Sequence, residues 1–149
     1  MKIVVKRFNE LSVEEIYQIL KVRADVFIIE QKCIYKDIDG KDEKARHVLG
    51  KENNEIIAYT RILEEDDQYN YPSISRVVVK KQNRGEERGK KIMKETIKYI
   101  VEELKEKTIV LAAQKYLEKF YRELGFIAEG EEYLEDEIPH QKMKLKIMP

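Results

Sequence analysis

The stretch from residue 73 to residue 104 joins a strand pattern, a loop with two glycines and a long helix pattern without interruption. Its first part, "SISRVVV" (73–79), is rich in the β-branched residues that favour strands. Beyond the loop, apolar residues recur on one face of a helix: Ile92, Met93, Ile97, Ile100 and Leu104. A strand that leads directly into an amphipathic helix constrains the chain to a layered α/β fold, in which the helix packs on the sheet.

The same two patterns account for most of the remaining chain. Strands are predicted over 2–8, in both halves of 46–65 with a turn at Asn53-Asn54, and over 108–113, 126–135 and 140–148. Helices are predicted from a capping box of Ser12 and Glu15 through Phe27, and over 116–124 before a glycine cap. The order strand, helix, three strands, helix, strand, helix, two strands predicts a single α/β domain over residues 1–149, with helices on the faces of a mixed sheet.

The charge balance and the residue counts argue against several classes of protein. Lys+Arg and Asp+Glu are both 29 in 149 residues, so the chain lacks the basic excess typical of nucleic-acid binding. Cys33 is the only cysteine, which rules out an internal disulfide and predicts a cytoplasmic location. With two histidines and one cysteine scattered along the chain, no metal site is expected, and no apolar run is long enough to span a membrane.

The loop "KKQNRGEERGKK" (80–91) has the character of an anion site. Gly85 and Gly89 lie among basic residues, and the N-terminus of the helix that follows presents unpaired N–H groups. A P-loop is excluded because the glycines are one residue too close and Lys91 stands where Ser or Thr is needed. The dinucleotide fingerprint is excluded because Glu87 takes the place of its second glycine. From the loop alone, a helix start softened by glycine is an open alternative.

The loop resembles the acyl-CoA loop of the Gcn5-related N-acetyltransferases, the GNAT family. That family's pattern is Gln/Arg-x-x-Gly-x-Gly/Ala, in which Arg84 matches the first position and Gly89 the last, while Glu87 stands at the usual central glycine. Downstream, "FYRELGF" (120–126) is similar to the family's second signature, Phe-Tyr-x-x-x-Gly-Phe. The segments "VRADVFIIEQKCIYKDIDGKD" (22–42) and "YLEDEIPHQKM" (133–143) resemble the ElaA-type branch, so the resemblance covers nearly the whole chain.

The resemblance implies the GNAT acyl-CoA N-acyltransferase fold, with a mixed, mostly antiparallel sheet. It also implies that acetyl passes from acetyl-CoA to a primary amine, on a small molecule or a peptide, by direct attack in a ternary complex. No metal, nucleic acid or membrane takes part in this expectation, and the protein would be a monomer or a homodimer. The residues it assigns to the cofactor are Val77, Val78, Val79, Arg84, Gly85, Glu86, Glu87, Arg88, Gly89, Lys90, Gln114 and Tyr121.

Four residues are candidates for proton transfer. Tyr121 matches the family's general acid, although a tyrosine on such a helix is by itself more typical of core packing. Glu30 is the first candidate for the base that deprotonates the amine, provided that burial near residues 27–29 raises its pKa. His47 and His140 are the alternatives, because histidine titrates near neutrality. A structural role stays open for each: Glu30 could pair with Arg23 or Arg61, and either histidine could be part of the packing.

The acceptor site is predicted beside the N-terminal helical segment. Glu30, Tyr35, Arg61 and Arg76 are its predicted lining, together with the histidines already named. The acidic residues of the "DID" segment (37–39) would suit a cationic amine. The main alternative function is a domain that binds acyl-CoA without turnover, as a regulator.

Overall fold

A mixed sheet of eight strands runs through residues 1–148, the part of the chain that the computed structural model describes. The strands are β1 (Lys2–Arg7), β2 (Arg46–Glu52), β3 (Glu55–Asp66), β4 (Tyr71–Val79), β5 (Thr108–Gln114), β6 (Ile127–Ala128), β7 (Tyr133–Glu135) and β8 (Ile138–Lys146). Their order is β1-β2-β3-β4-β5-β8-β6, with β7 also paired to β8. Only the β4–β5 pair is parallel, which confirms the predicted mixed, mostly antiparallel sheet.

The helices are α1 (Val13–Arg23), α2 (Arg88–Glu102) and α3 (Glu118–Glu123). The predicted capping box is confirmed, because the Ser12 hydroxyl and the Glu15 carboxylate each accept a hydrogen bond from the other's backbone N–H. α1 continues through a π-helical segment, Ala24–Glu30, that carries the chain across the sheet. No helix of the described residues is long and apolar enough to cross a membrane.

The helices cover opposite faces of the sheet. Ile92, Met93 and Ile100 of α2 share one buried cluster with Tyr121 and Phe126 from the α3 region. Ile19 and Val22 of α1 and Val26 of the π-helical segment form a second cluster, with Leu49, Tyr59 and Val78 of the sheet. Burial of these side chains is the main force that holds each helix on its face.

The closing strands differ from the prediction. The segment 126–135, predicted as one strand, is divided into β6 and β7, and both pair with β8. Gly130, at a φ of 81°, turns the backbone between them, so the sheet has eight strands rather than seven. The alternation predicted for the last strand is confirmed, since Gln141, Met143 and Leu145 are buried.

β4 and β5 separate almost as soon as they pair. Their register among the described residues consists of one pair, Ser73 opposite Val110. The register between β3 and β4 also shifts between Ser75 and Val78, around Arg76, whose φ of 55° lies in the left-handed region. Such a bulge bends the strand, so the end of β4 leaves β5 and opens a gap in the middle of the sheet.

Candidate active site

The gap between β4 and β5 exposes strand backbone that no other strand uses. Val78 and Val79 pair with β3 on one side, opposite Tyr59 and Ala58. On the other side no strand of the described residues pairs with them. A strand edge with free N–H and C=O groups binds an extended, amide-containing chain well, as a further strand would. This is the position that the sequence assigns to the cofactor arm.

The loop that follows β4 directs backbone N–H groups toward the start of α2. Gly85, Glu86 and Glu87 all have positive φ, at 99°, 53° and 56°. Glu87 is the N-cap of α2, and its side chain makes no capping hydrogen bond. The first N–H groups of α2 are therefore not satisfied by a cap, which suits an anion. Glu87 adopts the left-handed conformation that the usual glycine would adopt, so the fold of the loop survives the substitution.

The cations of this loop already have acidic partners. Arg84 is bound by Glu30, Arg88 lies 2.9 Å from Glu52, and Lys90 lies 3.2 Å from Glu123. These three side chains are therefore not free charges in this structure, and their assignment to the cofactor stays a prediction. The loop would bind an anion mainly through its backbone N–H groups. The exposed ion pairs would have to separate before the side chains could bind the anion as well.

α2 and α3 meet beside the end of β4. A Cβ atom placed on Gly89 would lie 3.5 Å from the Phe120 ring and 3.8 Å from the Val79 side chain. The loop, the end of β4 and the "FYRELGF" segment thus share one place, although they are distant in sequence. Tyr121 follows Phe120 directly, and its ring packs against that of Phe120.

Tyr121 is buried, with 6% of its surface exposed. Its ring packs edge-on against Phe120 and Phe126, at centroid distances of 5.1 and 6.1 Å. Burial raises the pKa of its hydroxyl, and no hydrogen bond from a described residue contributes to that shift. No described side chain or backbone group forms a hydrogen bond with this hydroxyl, and the residue keeps a small exposed surface. It keeps the proton available to a group that enters the gap.

Glu30 does not have the environment expected of a base. It ends the π-helical segment, and Arg84 binds both of its carboxylate oxygens, one of them at 2.8 Å. The Arg84 hydrogen bonds lower its pKa, whereas the prediction required burial to raise it. The expected rise of its pKa is contradicted, because a partner 54 residues away stabilises the charged form; the role of Glu30 as a base stays a prediction. The alternative pairing with Arg23 or Arg61 is wrong as well.

His47 is buried in β2 and uses both ring nitrogens. Its Nε2 lies 2.9 Å from the carbonyl of Asp42, and a carbonyl can only accept, so Nε2 carries the proton. Nδ1 then accepts a hydrogen bond from the Tyr59 hydroxyl at 2.6 Å. Burial lowers the pKa of His47 and favours this neutral form. The histidine joins β2 to the loop before it and has no nitrogen free for a substrate, which contradicts its predicted role as a base.

His140 lies where β8 faces the gap. It stands opposite Gln114, the last residue of β5, and is 7% exposed. Side chains alternate along β8, so Gln141 and Met143 point to one side of the sheet and His140 to the other. Met143 packs in the same cluster as Tyr121. His140 therefore points to the opposite side of the sheet from Tyr121. Of the three predicted bases, His140 alone is placed at the gap with a ring nitrogen not bound by the backbone or a hydroxyl.

Six charged side chains bind the 37–42 loop to the sheet in what we call the arginine–aspartate network: Arg23, Arg61, Arg76, Asp37, Asp39 and Asp42. Arg23 binds two of the aspartates, with Nε 3.0 Å from Asp37 and Nη1 2.7 Å from Asp42. Arg61 binds Asp39 through two hydrogen bonds of 2.9 Å. Burial alone would raise the pKa of Asp39, but the Arg61 hydrogen bonds outweigh it and hold that pKa well below its usual range.

This network changes the predicted lining of the acceptor site. Arg61 is 1% exposed and fully engaged, so it cannot contact a substrate as predicted. Asp37 and Asp39 are neutralised by arginines, so they do not offer free negative charge to an amine. Ion pairs this deeply buried hold a loop in one position, and they require every partner to be present.

Arg76 and Tyr35 form the edge of the network that is nearest to the gap. Arg76 lies with Nε 2.8 Å from Asp37 Oδ1 and its guanidinium 5.4 Å from the centre of the Tyr35 ring. The Tyr35 hydroxyl donates to the same carboxylate. Because Arg76 is also the bulge residue of β4, the network fixes the bend that opens the gap.

Three residues around Gln114 and His140 were not singled out by the sequence. The Gln31 side chain accepts a hydrogen bond from Gln114 at 3.1 Å and links the end of the π-helical segment to β5. Tyr133 stacks on His140 at 6.0 Å, and Glu135 lies 3.4 Å from the same ring. A hairpin predicted over "YLEDEIPH" would have revealed Tyr133 and Glu135, since pairing of its two strands sets Tyr133 opposite His140.

The comparison with known families agrees with this geometry. The profile of the acetyltransferase (GNAT) domain matches residues 9–147. The chain belongs to the GNAT family. Within it, the chain is 42% identical to Protein ElaA of Escherichia coli strain K12 over 142 residues, which are 94% of this chain and 93% of that protein. Its GNAT domain makes it an acyltransferase enzyme.

Solved GNAT structures superpose on nearly the whole chain. The crystal structure of Escherichia coli ElaA matches with a TM-score of 0.89 and 39% identity, covering 98% of this chain and all of that one. An acyl-CoA N-acyltransferase from Pseudomonas aeruginosa matches with a TM-score of 0.90 and 31% identity, over 97% and 99% of the two chains. An aminoglycoside 6'-N-acetyltransferase in complex with coenzyme A shares the fold at 14% identity, with a TM-score of 0.74 and 98% coverage of both chains.

Proposed function

We propose that this protein transfers acetyl from acetyl-CoA to a primary amine by direct attack within a ternary complex. The observation that carries the proposal is the separation of β4 from β5 next to the uncapped start of α2. The unpaired strand edge and the N–H groups that follow Arg88 then lie side by side, which suits a ligand with an amide-containing arm and a pyrophosphate. Coenzyme A has both parts. Two groups there have partners inside the loop: the Val79 carbonyl accepts from Arg84 at 3.2 Å, and the Arg88 N–H donates to the Gly85 carbonyl at 3.4 Å.

The residues of the chain divide the work between the two sides of the gap. The loop 85–90 would hold the pyrophosphate by backbone N–H groups, and the free edge of residues 77–79 would hold the arm. A backbone N–H of that edge would also stabilise the charge that develops on the thioester oxygen. Gln114 would contact the arm at the end of β5, where it now binds Gln31.

Proton transfer would use the two groups on opposite sides of the sheet. The amine nitrogen forms a bond to the acetyl carbon while its proton passes to His140, and the carbon–sulfur bond breaks. Tyr121 would supply a proton to the departing thiolate, completing the balance of one proton taken and one given. Its hydroxyl has no competing protein partner, which supports this role. The separation of the two groups keeps the base from protonating the leaving group prematurely.

Binding and turnover test this proposal separately. Isothermal titration with acetyl-CoA should show micromolar binding by the wild type and by Tyr121→Phe, because the lost hydroxyl makes no protein hydrogen bond. With a panel of primary amines, Tyr121→Phe and His140→Gln should each lower kcat by about 10²-fold or more. Tyr17→Phe is the matched control, since that tyrosine is 68% exposed on α1, and it should leave kcat unchanged.

Two results would overturn the proposal in different ways. Acetyl-CoA binding without turnover of any amine would assign the chain to the alternative, a regulatory domain that binds acyl-CoA. No binding up to millimolar acetyl-CoA would mean that the carboxylates around the loop, Glu86 and Glu87 among them, exclude the pyrophosphate. Full activity of Tyr121→Phe would remove the tyrosine from the mechanism while leaving the enzyme.

A further inference from the structure

The hydrogen bonds of His140 fix which of its nitrogens carries a proton. Nδ1 lies 2.7 Å from the carbonyl oxygen of Ile138, two residues earlier on the same strand. A carbonyl oxygen only accepts, so Nδ1 must be the donor. In the neutral ring, Nε2 is then a bare acceptor. His47 has the opposite arrangement, with its proton on Nε2.

The atom that faces this bare nitrogen is a second acceptor. Oε2 of Glu135 lies 3.4 Å from His140 Nε2, across the β7–β8 pair. An ionised carboxylate has no proton to donate, so two lone pairs point at each other at this distance. Such a contact is unfavourable unless a proton or a cation lies between the two atoms.

We propose that His140 and Glu135 together form the binding site for the acceptor amine in its ammonium form. An ammonium group has three N–H donors and one positive charge, and it can donate one hydrogen bond to Nε2 and another to Oε2. The inference rests on the proposed function for the identity of the ligand, and it adds Glu135 as a residue that contacts the substrate. It narrows the acceptor to amines that arrive protonated.

The surroundings of the pair favour a cation over an anion. The face of Tyr133 stacks on the His140 ring, and aromatic faces attract cations. The cation on the same side of β8, Lys142, is already bound by Glu129 at 3.2 Å. Gln114, opposite His140 on β5, is uncharged. Glu135 is therefore the charge that faces His140, and its side chain is 53% exposed and open to an incoming ligand.

The same pair takes the first of the two protons that the ammonium group loses; water then removes this proton from Nε2, so that His140 can accept the second proton during attack. One ammonium proton moves along its hydrogen bond to Nε2, which leaves a neutral amine with a free lone pair and an imidazolium ring. Glu135 and the Ile138 carbonyl then face the two N–H groups of that ring and stabilise its charge. The amine has lost one proton and the histidine has gained one, so the step balances.

Nitrogen NMR of the two histidines tests the site without any turnover. The chain has two histidines, so spectra that report protonation at each ring nitrogen contain two spin systems, and they should show opposite tautomers. Titration with n-propylammonium chloride at pH 8 should shift Nε2 of His140 in a saturable way and leave His47 unchanged. n-Propanol, which has no charge, and propyltrimethylammonium, which has no N–H donor, should each bind at least about tenfold more weakly.

Glu135→Gln is the decisive variant. Its amide can donate to Nε2 and fill the gap between the two acceptors, so the dissociation constant for propylammonium should rise by about tenfold or more. Glu137→Gln changes an exposed carboxylate of the same hairpin and should leave that constant unchanged.

Two outcomes contradict the site, and a third concerns the proposed function alone. A His140 ring that carries protons on both nitrogens at pH 8 without ligand would mean that a proton on Nε2, and no ligand, joins His140 to Glu135. Equal propylammonium shifts in wild type and Glu135→Gln would remove the carboxylate from the site. Tight ammonium binding at His140 without any acetyl transfer would leave the amine site standing and overturn the acetyltransferase proposal.

Discussion

The cofactor loop and the arginine–aspartate network are both built from ion pairs, but the two regions use charge in opposite ways. Around the loop each cation has its own exposed partner: the Arg84 and Glu30 side chains are 43% and 28% exposed. In the network Arg23 is fully buried and shares its partners with two other arginines. Exposed single pairs contribute little to stability and can exchange partners, whereas a buried network is intolerant of any loss.

This difference separates the part that receives a ligand from the part that holds the site in shape. On the proposed function, a pyrophosphate would displace Glu30 from Arg84 at small cost, because the pair is exposed. The network fixes Arg76 and with it the bend in β4. A binding site can thus combine exposed ion pairs that exchange partners with buried ion pairs that hold the backbone in place.

The largest expected effect comes from removing a buried partner. Arg23→Met should lower the free energy of unfolding by about 3–5 kcal/mol, because Asp37 and Asp42 would each lose one of two arginine partners in a buried site. Arg84→Met, at the loop, should change it by no more than about 1 kcal/mol. Urea unfolding of both variants at pH 7 measures the contrast, and equal losses would show that the two regions do not differ.

Acid should weaken the network. The pKa of Asp39 is held below its usual range, so its contribution to stability is complete above about pH 4 and is lost as pH falls through the lower, folded-state value. The free energy of unfolding should therefore decline from about pH 5 downward.

Comparison of two variants assigns that acid dependence to the network. Asp39→Asn should flatten the pH dependence of unfolding clearly. Glu30→Gln should flatten it less, because Glu30 and its arginine are largely solvent-accessible. A series of urea titrations between pH 7 and pH 3 measures both slopes, and a steeper change for the Glu30 variant would reverse the assignment.

The two glycines of the loop should respond differently to alanine. Gly85 has a φ of 99°, so Gly85→Ala should cost roughly 1–2 kcal/mol and weaken binding of acetyl-CoA. Gly89 lies in the first turn of α2 with ordinary contacts around its Cβ position, and Gly89→Ala should be neutral or stabilise by up to about 1 kcal/mol. Thermal unfolding and acetyl-CoA titration distinguish the two, and a tolerated Gly85→Ala would remove the need for a left-handed residue there.

The smallest effect concerns the glutamate at the family's usual glycine. Glu87→Gly should stabilise the protein by less than about 1 kcal/mol, because glycine adopts the left-handed conformation without steric cost but loses more chain entropy on folding. It should also tighten acetyl-CoA binding, and Glu87→Gln separates the two causes. Equal tightening by both variants would assign the effect to charge, and tightening by glycine alone would assign it to the backbone.

The sequence predicted what depends on short-range pattern. The strand, loop and helix of residues 73–104 and the capping box at Ser12 are local, and the structure has them as expected. The single strand predicted over 126–135 was wrong, because one turn at Gly130 divides it. Alternation of apolar residues does not reveal such a turn.

The side chains of the site were harder to predict because their partners are distant in the chain. Glu30 and Arg84 are 54 residues apart, and nothing near either residue indicates the pair. The aspartates at 37 and 39 were interpreted as free charge, since their arginines come from α1, β3 and β4. Glu135 stands in a run of acidic residues, and only the pairing of β7 with β8 sets it against His140.

The separation of β4 from β5 also divides the chain into two pieces that few backbone hydrogen bonds join. One register pair, Ser73 opposite Val110, joins β4 to β5. It is the point at which the strands β1 to β4 meet the strands β5 to β8 in the sheet. A cut in the turn between α2 and β5 would leave fragments that recognise each other through side-chain packing. A ligand held on both sides of the gap would increase the affinity of one fragment for the other, so fragment complementation would report the presence of the ligand.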